Sequence, residues 1–306
     1  MLSRRSVDVS LLNEIVPDQC PFFRPEFYLT NQIVWTTELN RDRGATPKTL
    51  DYMRQVDVVV GTTTVRKSSF ALDHFLLNQY EIQSNYRGSE LVIATDDPDF
   101  VDELESLIKK YNLFGCVIMY ETEPHNHKSN YRLQSITCGR NAVREYVLNS
   151  GESYLLFLDA DMTYDPQIID IMKKEIDGYD VVQSGYMVRS KSINALGFGG
   201  CSLIKRDILS KIRFRYYEFK NGQVIDEFNI FELDLFRRGA RINKGVFLSI
   251  NHYLGHGEVI SINPRDLSLF QKVTTWSLLR YVLLQLSIIS KYDITRYFQR
   301  LLYGRS

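Results

Sequence analysis

The sequence predicts an α/β fold, a mostly parallel sheet with helices on both faces. Short apolar runs alternate with helix-period segments from about residue 56 onward. One run, in YLLFLDADMTYDP at 154–166, then ends in two aspartates spaced by a single alanine. Such alternation calls for crossover helices on both sides of a sheet. In sheets of that kind ligands bind beyond the carboxyl ends of the strands, where Asp159 and Asp161 fall.

The elements follow in order. VDVVV (56–60), LVIAT (91–95), CVIMY (116–120), YLLFL (154–158) and DVVQSG (180–185) read as strands, and YLLFL has the length of one buried on both faces. Between them SSFALDHFLLNQY, DFVDELESLIKKY and RLQSITCGRNAVREYVL carry apolar residues at three-and-four spacing and read as helices. Asp165-Pro166 marks a helix start, with Asp as the cap and Pro in the first turn; the helix runs through Ile168, Ile169, Met172 and Ile176 and stops at Gly178. Residues 1–55, with a strand-like FYLTNQIVWTT and a helix-like TPKTLDYM, form an N-terminal extension packed on the core. Residues 56–263 form the main domain, divided at 161/162. From 264 to 306 the chain is continuous helix-former sequence with Trp276, Arg280, Lys291, Arg296 and Arg300 interspersed. Its most apolar piece, 276–289, contains Arg280 and is too short to span a bilayer. It is either a helical pair packed on the domain or, over 266–303, an amphipathic element resting on a membrane or a partner.

Composition narrows the function classes. With 306 residues the chain can bury a substantial core, and 37 basic against 37 acidic residues leave no global field toward nucleic acid. Cys20, Cys116, Cys138 and Cys201 are scattered without a CxxC pair or metal spacing, and Cys116 and Cys201 sit in apolar runs that read as buried thiols. With no apolar segment in the first residues to serve as a secretory signal, the expected location is cytoplasmic, with peripheral membrane contact through the tail as the open alternative.

Two carboxylates at the mouth of a buried strand repel unless a cation sits with them, and a divalent ion is the natural one. A strand-end Asp also caps loops, which is the ordinary reading of either aspartate alone.

FLDADMTYDPQII, following GRNAVREYVLNSGESY, resembles the core of the GT-A, family-2-like glycosyltransferases, which use nucleotide-diphosphate sugars. GFGGCSLIKRDIL (197–209) is similar to the small-residue strand lining their donor-sugar pocket, DEFNIFELDLFRRGARI (226–242) to their acidic-start helix, and INHYLGHG (250–257) to their downstream His segment. The resemblance covers roughly residues 56–257. It implies a GT-A type, Rossmann-like fold with the tail as a C-terminal helical extension. It also implies transfer of a sugar from a UDP- or GDP-linked donor to a hydroxyl on a glycan, lipid or protein.

The resemblance also implies a division of labour. Departure of a nucleotide diphosphate puts negative charge on oxygens that Mn²⁺ or Mg²⁺ can neutralise. Asp161 is the leading metal ligand, and Asp159 faces the ribose or the metal's water shell. His252 completes the metal shell by its distance from Gly239, with His256 as the rival. Thr62, Thr63 and Arg66 after the first strand, and Asp96 or Asp97 after the second, are expected at the nucleotide. Arg140 and Asn141 are expected at the diphosphate or base, and Gly199 and Gly200 at the donor sugar. Asp226 and Glu227 are the candidates for the base that takes the acceptor proton. The family order is Glu-Asp and here it is reversed, which leaves the register open by one residue. In a retaining enzyme this pair would only orient the acceptor.

Other readings remain. FLDADMT also fits the DxDxT motif of haloacid-dehalogenase-type phosphatases, with Asp159 as nucleophile, although that fold opens with its DxD strand and here at least three strands precede it. A nucleotidyltransferase would need a glycine-rich loop followed by Arg near the start of the chain. A non-catalytic carbohydrate-binding or scaffold protein would show no metal-dependent nucleotide binding.

Overall fold

The valine and leucine runs are unbroken because both faces of their strands are covered. In the computed structural model Val58, Val59 and Val60 are fully buried, as are Leu91, Val92 and Ile93. The structure describes residues 33–34, 55–122, 131–187, 196–197, 199–218, 224–255 and 257–262. The expected helix within 46–53, Cys20, His256 and the extension from 264 lie outside them.

The strands are β1 (Ile33–Val34), β2 (Val58–Thr63), β3 (Ser89–Thr95), β4 (Gly115–Tyr120), β5 (Tyr154–Leu158), β6 (Met162–Tyr164), β7 (Val181–Ser184), β8 (Tyr186–Met187), β9 (Leu196–Gly197), β10 (Cys201–Lys205), β11 (Tyr217–Glu218), β12 (Val224–Ile225), β13 (Ile242–Val246), β14 (Ile250–Tyr253) and β15 (Val259–Ile262). The helices are α1 (Leu72–Asn85), α2 (Pro98–Lys110), α3 (Tyr131–Ser150), α4 (Ile168–Glu175), α5 (Arg206–Leu209) and α6 (Glu227–Arg237).

The main sheet has eight strands in the order β1-β4-β3-β2-β5-β10-β7-β13. Its β4-β3-β2-β5 half is parallel, as expected of strands joined through helices. In the other half β10 runs antiparallel to both β5 and β7, a direction that its apolar pattern does not encode. Because β10 is reversed, its start, with Gly199 and Gly200 just before it, lies beside the end of β5: Cys201 pairs with Leu158.

Alternate residues of each strand serve two separate cores. Val58, Val60, Leu91, Ile93, Leu156 and Leu158 pack with α1, α2 and α4. Val59, Val92, Ala94, Leu155, Phe157 and Ile204 pack with α3, α5 and α6. Two glycines let α3 lie close to the sheet. A Cβ on Gly61 would stand 2.3 Å from Val143 Cγ1, and one on Gly139 would stand 2.6 Å from Thr63 Cγ2. The close approach carries the next residue, Arg140, to the strand ends. A second sheet, β15-β14-β6, is antiparallel and grows from the chain just after the aspartates.

Local expectations fare unevenly. Asp165 caps the turn before α4 rather than the helix itself: its Oδ1 accepts the Gln167 N–H at 2.9 Å, and Gln167 is the helix N-cap. Gly178 has φ of 75° and Gly239 of 69°, the left-handed conformation that ends helices with glycine. Cys201 is buried as expected, but Cys116 is only partly so. Among the described residues β1 pairs with β4 at Met119 and Tyr120, the far end of the strand from Cys116.

Replacing Gly61 with Val should destabilise the fold by about 1–3 kcal/mol through overpacking against Val143. Urea unfolding would show it as a lower midpoint at unchanged slope.

Candidate active site

The chain leaves β5 through a closed loop. Asp159 N–H donates to Tyr164 Oη at 2.8 Å, and the phenol in turn donates to Gly200 O at 2.7 Å. Burial, with Asp159 next in weight, pushes the Tyr164 pKa well up, so the phenol stays a neutral donor. On the other side of the loop, the Asp161 carbonyl accepts the Tyr253 N–H at 2.8 Å. Register does the rest: His252 pairs with Met162, so β14 delivers a buried imidazole beside the second aspartate. His252 Nε2 lies 3.5 Å from Asp161 Oδ2.

The first aspartate has a different partner. Arg140 Nη2 lies 3.1 Å from Asp159 Oδ1, its Nε 3.2 Å from Glu227 Oε1, and its Nη1 donates to Gly199 O at 3.2 Å. The Nε contact is an ion pair rather than an aligned hydrogen bond. Phe157 and Phe228 lie 5.3 Å from the guanidinium and Phe214 lies 6.0 Å away, within cation–π range. Burial pushes the Glu227 carboxyl up to about 7, opposed by Arg140 and reinforced by Asp226 and Asp159.

The two candidate bases are therefore unlike each other. Asp226 is the N-cap of α6: Asn229 donates to it from N–H at 2.8 Å and from Nδ2 at 2.6 Å. Glu227, the first helical residue, meets Arg140. Asn141, expected at the donor, is engaged elsewhere. Its Nδ2 donates to Phe214 O at 2.8 Å and its Oδ1 accepts the Phe214 N–H at 2.9 Å. It clamps the segment after α5 onto α3.

At its carboxyl end β2 finishes with Thr62 and Thr63, and Thr64 follows directly. The hydroxyls of Thr62 and Thr64 are buried and make no hydrogen bond to described protein atoms, whereas the Thr63 methyl packs against Gly139. Thr64 is a candidate that sequence reading passed over, and the signal for it was the run of three threonines at the strand end. Arg66 Nε lies 3.7 Å from Asp97 Oδ2 and its Nη1 3.4 Å from Glu103 Oε2. Asp96 Oδ2 accepts from Thr122 Oγ1 at 3.0 Å.

Among the described residues no group of three or more His, Cys, Asp and Glu side chains is gathered as a metal cluster. The Asp161–His252 pair has suitable donor chemistry: a carboxylate oxygen and an imidazole nitrogen suit Mn²⁺. Two ligands at about 2.1 Å in adjacent octahedral positions stand roughly 3 Å apart, so a small shift would let the pair share one ion. Asp159 is held by Arg140 and is less suited to join them.

No family model matches the chain, and no curated protein does. Similar solved structures include the mannosyltransferase PcManGT from Pyrobaculum calidifontis in complex with GDP-Man and Mn²⁺, at 13% identity and TM-score 0.44, covering 78% of this chain and 65% of that one. Glucosyl-3-phosphoglycerate synthase from Mycobacterium tuberculosis in complex with phosphoglyceric acid is similar at 12% identity and TM-score 0.42, covering 74% and 80%. TarS 1-349 from S. aureus in complex with UDP-GlcNAc is similar at 16% identity and TM-score 0.37, covering 52% and 49%. No described helix is long and apolar enough to cross a membrane.

Replacing Asn141 with Ala should leave both backbone groups of Phe214 without that partner and cost about 1–3 kcal/mol. Chemical denaturation would read the loss as a lower midpoint at unchanged slope.

Proposed function

We propose that the chain transfers a sugar from a nucleotide-diphosphate donor to a hydroxyl acceptor with the help of a divalent cation. The observation that carries this reading is the pairing of Asp161 with a buried His252 just beyond the central strand β5, two residues on from Asp159, which Arg140 links to Gly199 and Glu227.

Each residue then has a task. Asp161 and His252 would hold Mn²⁺ or Mg²⁺, which when bound supplies positive charge to the diphosphate as it leaves. Thr62 and Thr64 offer buried hydroxyls to the nucleotide, and Asp96, Asp97 and Arg66 line the same edge. Gly199 and Gly200, which present backbone rather than side chains beside the end of β5, would face the donor sugar. In an inverting transfer the acceptor oxygen attacks the anomeric carbon, the bond from that carbon to the diphosphate breaks, and the hydroxyl proton passes to Glu227. Glu227 suits the role better than Asp226, whose carboxylate already caps α6. Its pKa of about 7 makes it a stronger base than an ordinary carboxylate. The acceptor class remains a hydroxyl on a glycan, lipid or protein.

The phosphatase reading fits the site less well. A nucleophilic Asp159 would have to leave Arg140, and β2, β3 and β4 all precede β5.

Asp161→Asn should abolish metal-dependent turnover while the variant melts cooperatively. In the wild type, UDP or GDP with Mn²⁺ at about 100 times Kd should stabilise by roughly 2.7 kcal/mol. If no nucleotide shifts the melting temperature, a non-catalytic binding protein becomes the better reading.

The pH dependence has a definite sign. A base works when deprotonated, so kcat/KM should rise with pH through about 7, the value to which Glu227 is pushed. Glu227→Gln should lower kcat by about 10²–10⁴ and remove that rise. Stability should move the other way. The native state binds this proton more tightly than the unfolded chain does, so the contribution is present below about 4.5 and is lost as pH climbs to about 7. Thermal melts of wild type against Glu227→Gln across that window would test it.

A further inference from the structure

Arg140 joins four separate parts of the fold. It comes from α3 and meets Asp159 after β5, Glu227 at the start of α6, and Gly199 O ahead of β10. Its side chain is only 7% exposed. We propose that Arg140 is a positioning residue, a buried guanidinium that holds the donor-side Asp159 and the acceptor-side Glu227 in one frame, rather than a contact to the donor itself. This rests on the transferase reading above.

The geometry assigns each guanidinium nitrogen a protein partner: Nη2 to Asp159, Nε to Glu227, Nη1 to Gly199 O. Three phenyl rings surround the same group, which keeps water from competing for it. The Gly199 contact requires a residue without a side chain, since a Cβ there would stand 2.8 Å from Phe228 Cγ. The two carboxylates differ in what else holds them. The backbone of Asp159 is tied through Tyr164 and Gly200 whatever Arg140 does. Glu227 sits at a helix start, and its side chain takes its direction from the guanidinium. Loss of the fork therefore misplaces the acceptor-side carboxylate more than it disturbs the donor side. Lysine cannot replace it, because a single ammonium lacks the planar fork that spans both acids.

The test uses the full chain and three measurements on Arg140→Lys: the melting curve, kcat, and the Kd for UDP and GDP in Mn²⁺ by calorimetry. A positioning role predicts a cooperative melt, a kcat lower by about 10–100-fold, and nucleotide Kd within about threefold of wild type. A Kd weakened tenfold or more at unchanged kcat would overturn the proposal and make Arg140 a donor contact. Unchanged kcat and Kd together would overturn it as well. A double-mutant cycle adds an independent criterion: on a Glu227→Gln background, Arg140→Lys should cost far less in kcat than it does in wild type. Fully additive losses would refute the shared frame. If Arg140→Lys does not fold, Glu227→Asp, which shortens the reach to the guanidinium by one methylene, replaces it. There kcat must fall at least tenfold with nucleotide Kd unchanged, and near-normal turnover refutes the proposal. Failure of the wild type itself to turn over any nucleotide sugar would instead remove the transferase reading, so the two failures are distinguishable.

Discussion

A guanidinium this deeply buried has to be neutralised from within the protein, and the arrangement around Arg140 follows from that requirement. Removing one partner from a buried ion pair costs about 3–5 kcal/mol, so the partners are held strictly. Here they come from β5 and α6, two elements nearly seventy residues apart in the chain. The aromatic wall of Phe157, Phe214 and Phe228 then packs around a charge already compensated. One cation facing two carboxylates leaves an excess of negative charge. Burial is what chiefly raises the proton affinity of Glu227, with Asp226 and Asp159 adding to it against the pull of Arg140. The neighbouring Asp161 is held apart from this cluster, beside His252.

The same region depends on strand direction. Were β10 parallel to β5, Gly199 and Gly200 would lie at the opposite edge of the sheet and Arg140 would lose its carbonyl. The antiparallel insertion brings both ends of the site to one edge. The small β6-β14-β15 sheet acts likewise on the other aspartate. Its register places His252 against Met162 and turns the imidazole inward, while Asn78 on α1 grips the Tyr164 backbone at 2.8 Å on both its N–H and its C=O. The loop from Asp159 to Tyr164 is thereby anchored at both ends, and Asp161 projects from a part of the chain with little freedom to move.

Much of this was legible in the sequence. The run at 154–158 is a strand with those limits, and the aspartates stand at its carboxyl end. The acidic start and glycine stop of α6 were likewise readable, as was the α3 segment. These features are local: chain length, alternation, capping and glycine conformation act within a few residues, so a one-dimensional pattern records them. The division of the strand residues between two helical layers follows from the same unbroken apolar runs.

What the sequence by itself determined, then, is which segments are strands and helices and that two carboxylates close a buried strand. Only the tertiary structure decided the partners. It set β10 antiparallel, left Cys116 only partly buried, committed Asn141 to Phe214, and made Asp226 a cap while Glu227 met Arg140. Each of these depends on residues tens of positions away, brought together by packing rather than by spacing. An arginine and a nearby asparagine look alike as candidate ligands in a string of letters. Burial and the identity of the neighbouring charges separate them, and both exist only once the helices have been laid on the sheet.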